Sequence, residues 1–229
     1  MPGHGPGVCR ICRGPAGAGH GVCFACRLVA RRLGLPSAPV VPARLCPLPS
    51  PLYTVLLGYK ESPVAEARHR FGTIVRALLR AFLLSDGGRL EGTVGGPIDV
   101  VALVPSTHRP GPAPLALVAG LADEVAGVLP AAHWAPALVR RVDQPGGWPP
   151  VAHMRPDAAA FMVPPADRAA LRGARVLLLD DTYVSGARAQ SAAAVLERAG
   201  ARTVIGPLGR VLRPGRVVRH ADFLRQHVA

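Results

Sequence analysis

The chain has 229 residues, enough to bury a proper core in one main domain with a small appendage. Its hydrophobic content of 49% is ordinary for a globular protein, and an aromatic content of 4% argues against a stacking platform for single-stranded nucleic acid. The net charge of +13 is compatible with phosphate-bearing partners. The charges are scattered, however, and a composition rich in Arg, Ala, Gly and Pro is what a GC-rich coding bias yields without selection for charge. No basic segment followed by an apolar core opens the chain, as a secretory signal would. The longest apolar stretch, Leu115 to Leu129, is broken by Asp123 and Glu124 and is too short to span a bilayer. A cytoplasmic location is the expectation.

Four of the five cysteines open the chain: Cys9, Cys12, Cys23 and Cys26, spaced C-x2-C-x10-C-x2-C. Two close pairs, each able to sit on a tight knuckle, supply four thiolates for tetrahedral zinc. Between them lie glycines and prolines with little to pack, so metal binding would supply the folding energy of this segment. Disulfides suit secreted domains, which nothing here indicates. His4 and His20 could substitute as ligands, though four cysteines suffice. The fifth, Cys46, has no nearby partner and reads as a small core residue rather than a nucleophile.

Leu35 to Pro51 is Pro-rich and reads as an extended linker rather than a packed element. Leu52 to Leu57 follows as a short apolar strand, leading to Tyr59 and the chain's single lysine, Lys60. From Val64 to Leu83 the apolar residues recur with helical period, with Arg68, Arg70, Arg76 and Arg80 on a solvated face. Ser85 to Pro97 is Gly-rich and reads as a loop.

Asp99 to Val104 is predicted to be a buried strand, ending in the hydroxylated, basic turn Pro105, Ser106, Thr107, His108, Arg109. Parallel αβ sheets bind ligands beyond the carboxyl ends of their strands, and such a turn suits a pyrophosphate. Leu115 to Leu129 is predicted as a helix. Ala137 to Val142 and Ala160 to Val163 read as short strands. Between them Asp143 to Pro156 is too Gly- and Pro-rich for regular structure and has the look of a lid, with Arg140, Arg141, Gln144 and Arg155 able to reach an anion.

The most informative stretch is RVLLLDDTYVSGARAQS, from Arg175 to Ser191. Val176 to Leu179 is too short for a typical helix and reads as a buried parallel strand. Asp180 and Asp181 stand at its end, able to accept hydrogen bonds from vicinal hydroxyls or to bind hydrated Mg²⁺. A hydroxyl- and glycine-bearing turn, Thr182 to Gly186, then leads into an Ala-rich helix running to Ala199. Loop N–H groups and a helix N-terminus are both positive where an anion arrives. Thr203 to Leu208 reads as a last strand, and the tail beyond Pro214 is basic and poorly patterned.

Four apolar residues, two acids and a small phosphate loop resemble the signature of type I phosphoribosyltransferases. The resemblance implies that Asp180 and Asp181 take the ribose hydroxyls of phosphoribosyl pyrophosphate, accompanied by Mg²⁺. It implies that Thr182, Tyr183, Val184, Ser185, Gly186 and Ala187 take its 5′-phosphate. Ser106, Thr107, His108, Arg109 and Lys60 would then contact the pyrophosphate. The chain departs from the pattern at Val184 and Arg188, where hydroxyl residues are usual.

With the Cys pairs, Tyr59-Lys60, Val104-Pro105, Arg141, Gln144 and Ala160-Phe161 in the same order, the chain is similar over most of its length to the ComF-type competence proteins. That resemblance implies an α/β fold, a parallel sheet of type I phosphoribosyltransferase kind flanked by helices, behind a small zinc-ribbon-like module. The divisions are then residues 1–34 (metal module), 35–51 (linker), 52–212 (phosphoribosyltransferase-like domain) and 213–229 (basic tail). Two functions are compatible with this: a phosphoribosyl transfer to a nitrogen nucleophile, or a non-catalytic role in binding single-stranded DNA during DNA uptake.

Overall fold

The computed structural model describes residues 5–17, 19–106, 112–142, 155–214 and 218–227. Thr107, His108 and Arg109, together with His4 and residues 143–154 of the lid expected over Asp143 to Pro156, Gln144 among them, lie outside the described residues.

The fold is organised on a five-stranded sheet in which every pairing is parallel, in the order β1 (Arg44–Pro47), β7 (Arg202–Leu212), β6 (Arg175–Tyr183), β2 (Val100–Leu103), β3 (His133–Trp134). The Val176–Leu179 run is the middle strand, as its unbroken hydrophobicity requires of a strand covered on both faces. Val176 and Leu178 point to one side, against Ile205 and helix α5 (Ala187–Arg198); Leu177 and Leu179 point to the other, against helices α2 (Pro51–Glu61), α3 (Ala65–Val94) and α4 (Leu121–Val128). All four are wholly buried, each contributing roughly 2 kcal/mol of transfer free energy. The four-cysteine segment and helix α1 (Phe24–Leu33) close the α5 side, so one apolar cluster runs from the cysteines to the sheet.

Several elements differ from expectation. The stretch 35–51 is packed, not a free linker: β1 pairs with β7, and Val40, Val41, Ala43 and Cys46 are buried. Its prolines are tolerated because an edge strand needs donors only on alternate residues. Val41 N–H bonds to the Ile205 carbonyl and Ala43 N–H to that of Pro207, while Pro42 between them needs no donor. Cys46 is a fully buried core residue, with its thiol 3.7 Å from the Ser50 hydroxyl. Leu52 to Leu57 is helical, not a strand. Ser50 caps α2 by accepting the Tyr53 N–H at 3.3 Å, and Pro51 occupies the first turn, where a missing N–H costs nothing.

Helix α3 continues through the Gly-rich stretch expected to be a loop. Its glycines cost about 1 kcal/mol each relative to alanine, but Leu83, Leu90 and Val94 stay buried on the sheet and hold the helix together. It stops at Gly95, whose φ of 82° is left-handed. The helix expected over Leu115 to Leu129 is divided at Gly120 (φ 72°) into a 3₁₀ turn, Pro114–Leu117, and α4. The two short strands before β6 shrink to a two-residue antiparallel ribbon, β4 (Arg140–Arg141) with β5 (Phe161–Met162). In the tail, helix α6 (Val218–His227) seats Phe223 against Val8 and Leu212.

Candidate functional site

From β2 the chain passes through α4 to β3 at one edge of the sheet; from β6 it passes through α5 to β7 on the other side. The connections diverge beyond the carboxyl ends of β2 and β6, and such a divergence opens a crevice in parallel sheets. A cavity of about 820 Å³ lies there. It is lined by Ser106 after β2, by 180–189 at the end of β6 and start of α5, by Lys60 of α2, by Arg68 and Arg76 of α3, and by Arg213 after β7.

The acid pair is more enclosed than the sequence suggests. Asp180 and Asp181 are 5% and 4% exposed, and the chain's own cations cover them. Arg188 donates to Asp180 at 3.0 and 3.3 Å. Lys60 Nζ stands 2.9 Å from Asp181 Oδ2, which also accepts the Tyr59 hydroxyl; Thr182 Oγ1 donates to Asp181 Oδ1 at 2.9 Å. Two carboxylates thus face two cations. Burial pushes the Asp180 carboxyl up to about 6, with Arg188 only partly offsetting it. Burial acts on Asp181 too, but Lys60, Arg188 and the Tyr59 hydrogen bond together hold it below the usual carboxylate value. Burial, reinforced by the Asp181 charge, raises Tyr59 well above an ordinary phenol, so it remains a donor.

The turn after the acids is built for close approach. Gly186 has φ 82°, and a Cβ there would lie 2.1 Å from the Tyr183 hydroxyl, so no side chain fits. Helix α5 begins immediately after it with no side-chain cap on its first amides; Ala187 N–H alone meets a side chain, Ser185 Oγ at 3.3 Å. An uncapped helix N-terminus facing a cavity is an electropositive spot. Ala187 and Ser185 of the expected phosphate loop line it, as does Thr182. Tyr183 belongs to β6 rather than the turn; its ring is buried, with its hydroxyl 3.2 Å from Gln190 Nε2.

Lys60, expected to contact the pyrophosphate, lines the cavity with its ammonium against Asp181. Of that turn, Ser106 lines the cavity; Thr107, His108 and Arg109 lie outside the described residues. Sequence reasoning missed Tyr59 and the pairing of Arg188 as site features, and it assigned Arg68 and Arg76 to a solvated face. A signal was present: Arg68, Gly72 and Arg76 recur every four residues, one stripe of α3, and all three line the cavity.

At the N-terminus the four sulfurs of Cys9, Cys12, Cys23 and Cys26 lie within 4.8 Å of one another, all buried and none in a disulfide. Tetrahedral zinc with Zn–S near 2.3 Å requires sulfurs roughly 3.8 Å apart, which the 3.8 Å Cys12–Cys23 separation meets. The Cys23 N–H donates to Cys9 Sγ at 3.3 Å, the kind of backbone bond that orients a thiolate ligand. These four residues could hold a zinc ion. Among the described residues His20 is no part of the clustered set. No helix among the described residues is long and apolar enough to cross a membrane.

No protein-family model matches the sequence, and a search of characterised proteins returns no significant match.

Proposed function

We propose that the cavity at the end of β6 binds a phosphoribosyl ligand, phosphoribosyl pyrophosphate foremost, in a site of the type I phosphoribosyltransferase kind. One observation carries this: paired carboxylates at a central strand's carboxyl end, followed at once by a glycine turn and an uncapped helix start, all opening into one cavity. The phosphate sits at Ser185 to Ala187, on amides and the α5 dipole. The ribose diol donates to Asp180 and Asp181, competing there with Arg188 and Lys60. A displaced ammonium or guanidinium stays in the cavity, where it can meet the diphosphate. Mg²⁺ enters with that diphosphate, which the resemblance to ComF-type proteins directs toward Ser106 at the end of β2. Transfer to a nitrogen nucleophile would then be positioning plus electrostatic stabilisation of the leaving pyrophosphate.

Calorimetric titration with phosphoribosyl pyrophosphate and Mg²⁺ tests the reading. The wild type is expected to saturate, and Asp181→Asn to bind at least tenfold more weakly. Equal affinity in the two proteins would remove the acid pair from the site. A pyrophosphate-release assay over a panel of bases then separates turnover from binding alone.

A further inference from the structure

Arg210 lies on β7 outside the cavity lining, and its surroundings are unusual for a cation. It is 5% exposed, and among the described residues the groups acting on it are thiols and the Tyr183 phenol rather than a carboxylate. Its guanidinium instead spans two regions. Nη1 donates to the carbonyls of Tyr183 at 3.0 Å and Val184 at 2.8 Å, the two residues that lead into the Ser185-Gly186 turn, and to its own strand at Val211, 2.8 Å. Nη2 reaches Cys12 Sγ at 3.6 Å. The guanidinium carbon sits 5.3 Å from the centre of the Tyr183 ring, a cation–π distance.

A buried guanidinium without a counter-charge is strongly destabilising. The four-cysteine site supplies one, because four thiolates around a divalent ion leave a net charge of about −2. The chain makes room for this contact at Gly14, between the two Cys pairs: a Cβ there would lie 2.7 Å from Arg210 Nη2. Gln190 fastens the far side, donating to the Tyr183 hydroxyl and the Ala38 carbonyl and accepting the Ala38 N–H.

We infer that Arg210 is a positioning residue that couples the metal centre to residues 183–187: it neutralises the metal–thiolate cluster and with the same planar fork holds the Tyr183 and Val184 carbonyls that lead into the Ser185-Gly186 turn. Loss of the metal removes its anchor and loosens the turn, and loss of the fork weakens both ends. The consequence for ligand affinity rests on the phosphoribosyl reading, whereas the coupling itself does not.

Two measurements on the full-length zinc-loaded protein test it without any ligand: metal transfer to a colorimetric chelator, and amide hydrogen exchange over 183–187. Arg210→Met is expected to speed both at least tenfold. Arg210→Lys keeps the charge but cannot span sulfur and two carbonyls; it should hold metal within about threefold of wild type while exchange in the turn rises tenfold. Stripping zinc from the wild type should raise exchange in the same five residues. If Arg210→Met fails to fold, Gly14→Ala provides the same test by pushing on Nη2 from the knuckle side. Exchange over 183–187 unchanged within twofold after zinc removal, or in every variant, overturns the coupling. Failure of phosphoribosyl pyrophosphate to bind would overturn only the functional reading.

Discussion

At the residue scale, the balance at Asp181 decides how the site behaves. Its carboxyl stays below the ordinary value of 3.8 although buried, because Lys60 and Arg188 outweigh desolvation. The stability it contributes is therefore fully present above that ordinary value and is lost as pH falls through the lower, folded-state pKa. Lys60→Met deletes the closest cation, and burial then pushes Asp181 up. We expect Lys60→Met to cost on the order of 2 kcal/mol at pH 7, less than the roughly 3–5 kcal/mol of a fully buried pair, since Lys60 is 21% exposed. The deficit should shrink on acidification to pH 4.5, because a raised Asp181 takes up a proton that restores the fold. Urea midpoints of both proteins at the two pH values check this. A deficit that widens at low pH would contradict it.

At the scale of elements, helix α2 is placed by what it lacks. Gly58 lets α2 and α3 approach so closely that a Cβ there would lie 2.4 Å from the Phe71 ring. Alanine is the better helix former by about 1 kcal/mol, so propensity alone predicts a stabilised Gly58→Ala. The geometry predicts the reverse, a loss of about 1–3 kcal/mol from overpacking, with Phe71→Leu restoring part of it in the double variant. Thermal unfolding of the single and double variants gives the coupling. At the turn, Gly186→Ala combines a left-handed φ with a 2.1 Å clash; we expect about 2 kcal/mol of destabilisation.

The same elements show how much was legible beforehand. The Val176–Leu179 strand and the acids were plain, because a four-residue apolar run closed by two charges is too short for a typical helix. The neighbouring strands were legible as existing but not as to length, since pairing rather than propensity sets where a strand stops. Helix α2 was misread because a short, mostly apolar run such as Leu52 to Leu57 does not distinguish helix from strand; the Ser50-Pro51 start carried the answer. The packing of 35–51 and the two-residue β3 had no local signal, both being fixed by a neighbour far along the chain. The contact of Lys60 with the acid pair was invisible for the same reason, as Lys60 and Asp181 are 121 residues apart.

At the scale of the molecule, the four thiols and the cavity share one core, both bordering β6, β7 and α5. Structural zinc supplies folding energy outright, so its removal should be felt beyond the first thirty residues. We expect metal analysis to return about one zinc per chain. Chelation should lower the melting temperature by about 10 °C, or about 3 kcal/mol at the 2–4 °C per kcal/mol usual for a chain of this size. Single-stranded DNA, the alternative partner, would be held by the scattered arginines, and its affinity should fall steeply with salt and be indifferent to Gly186→Ala. The central claim is most directly tested by hydrogen exchange with and without saturating phosphoribosyl pyrophosphate and Mg²⁺. The account predicts protection concentrated over 182–189, at the end of β6 and the first turn of α5. Protection confined to other parts of the chain, or none at saturating ligand, would contradict it.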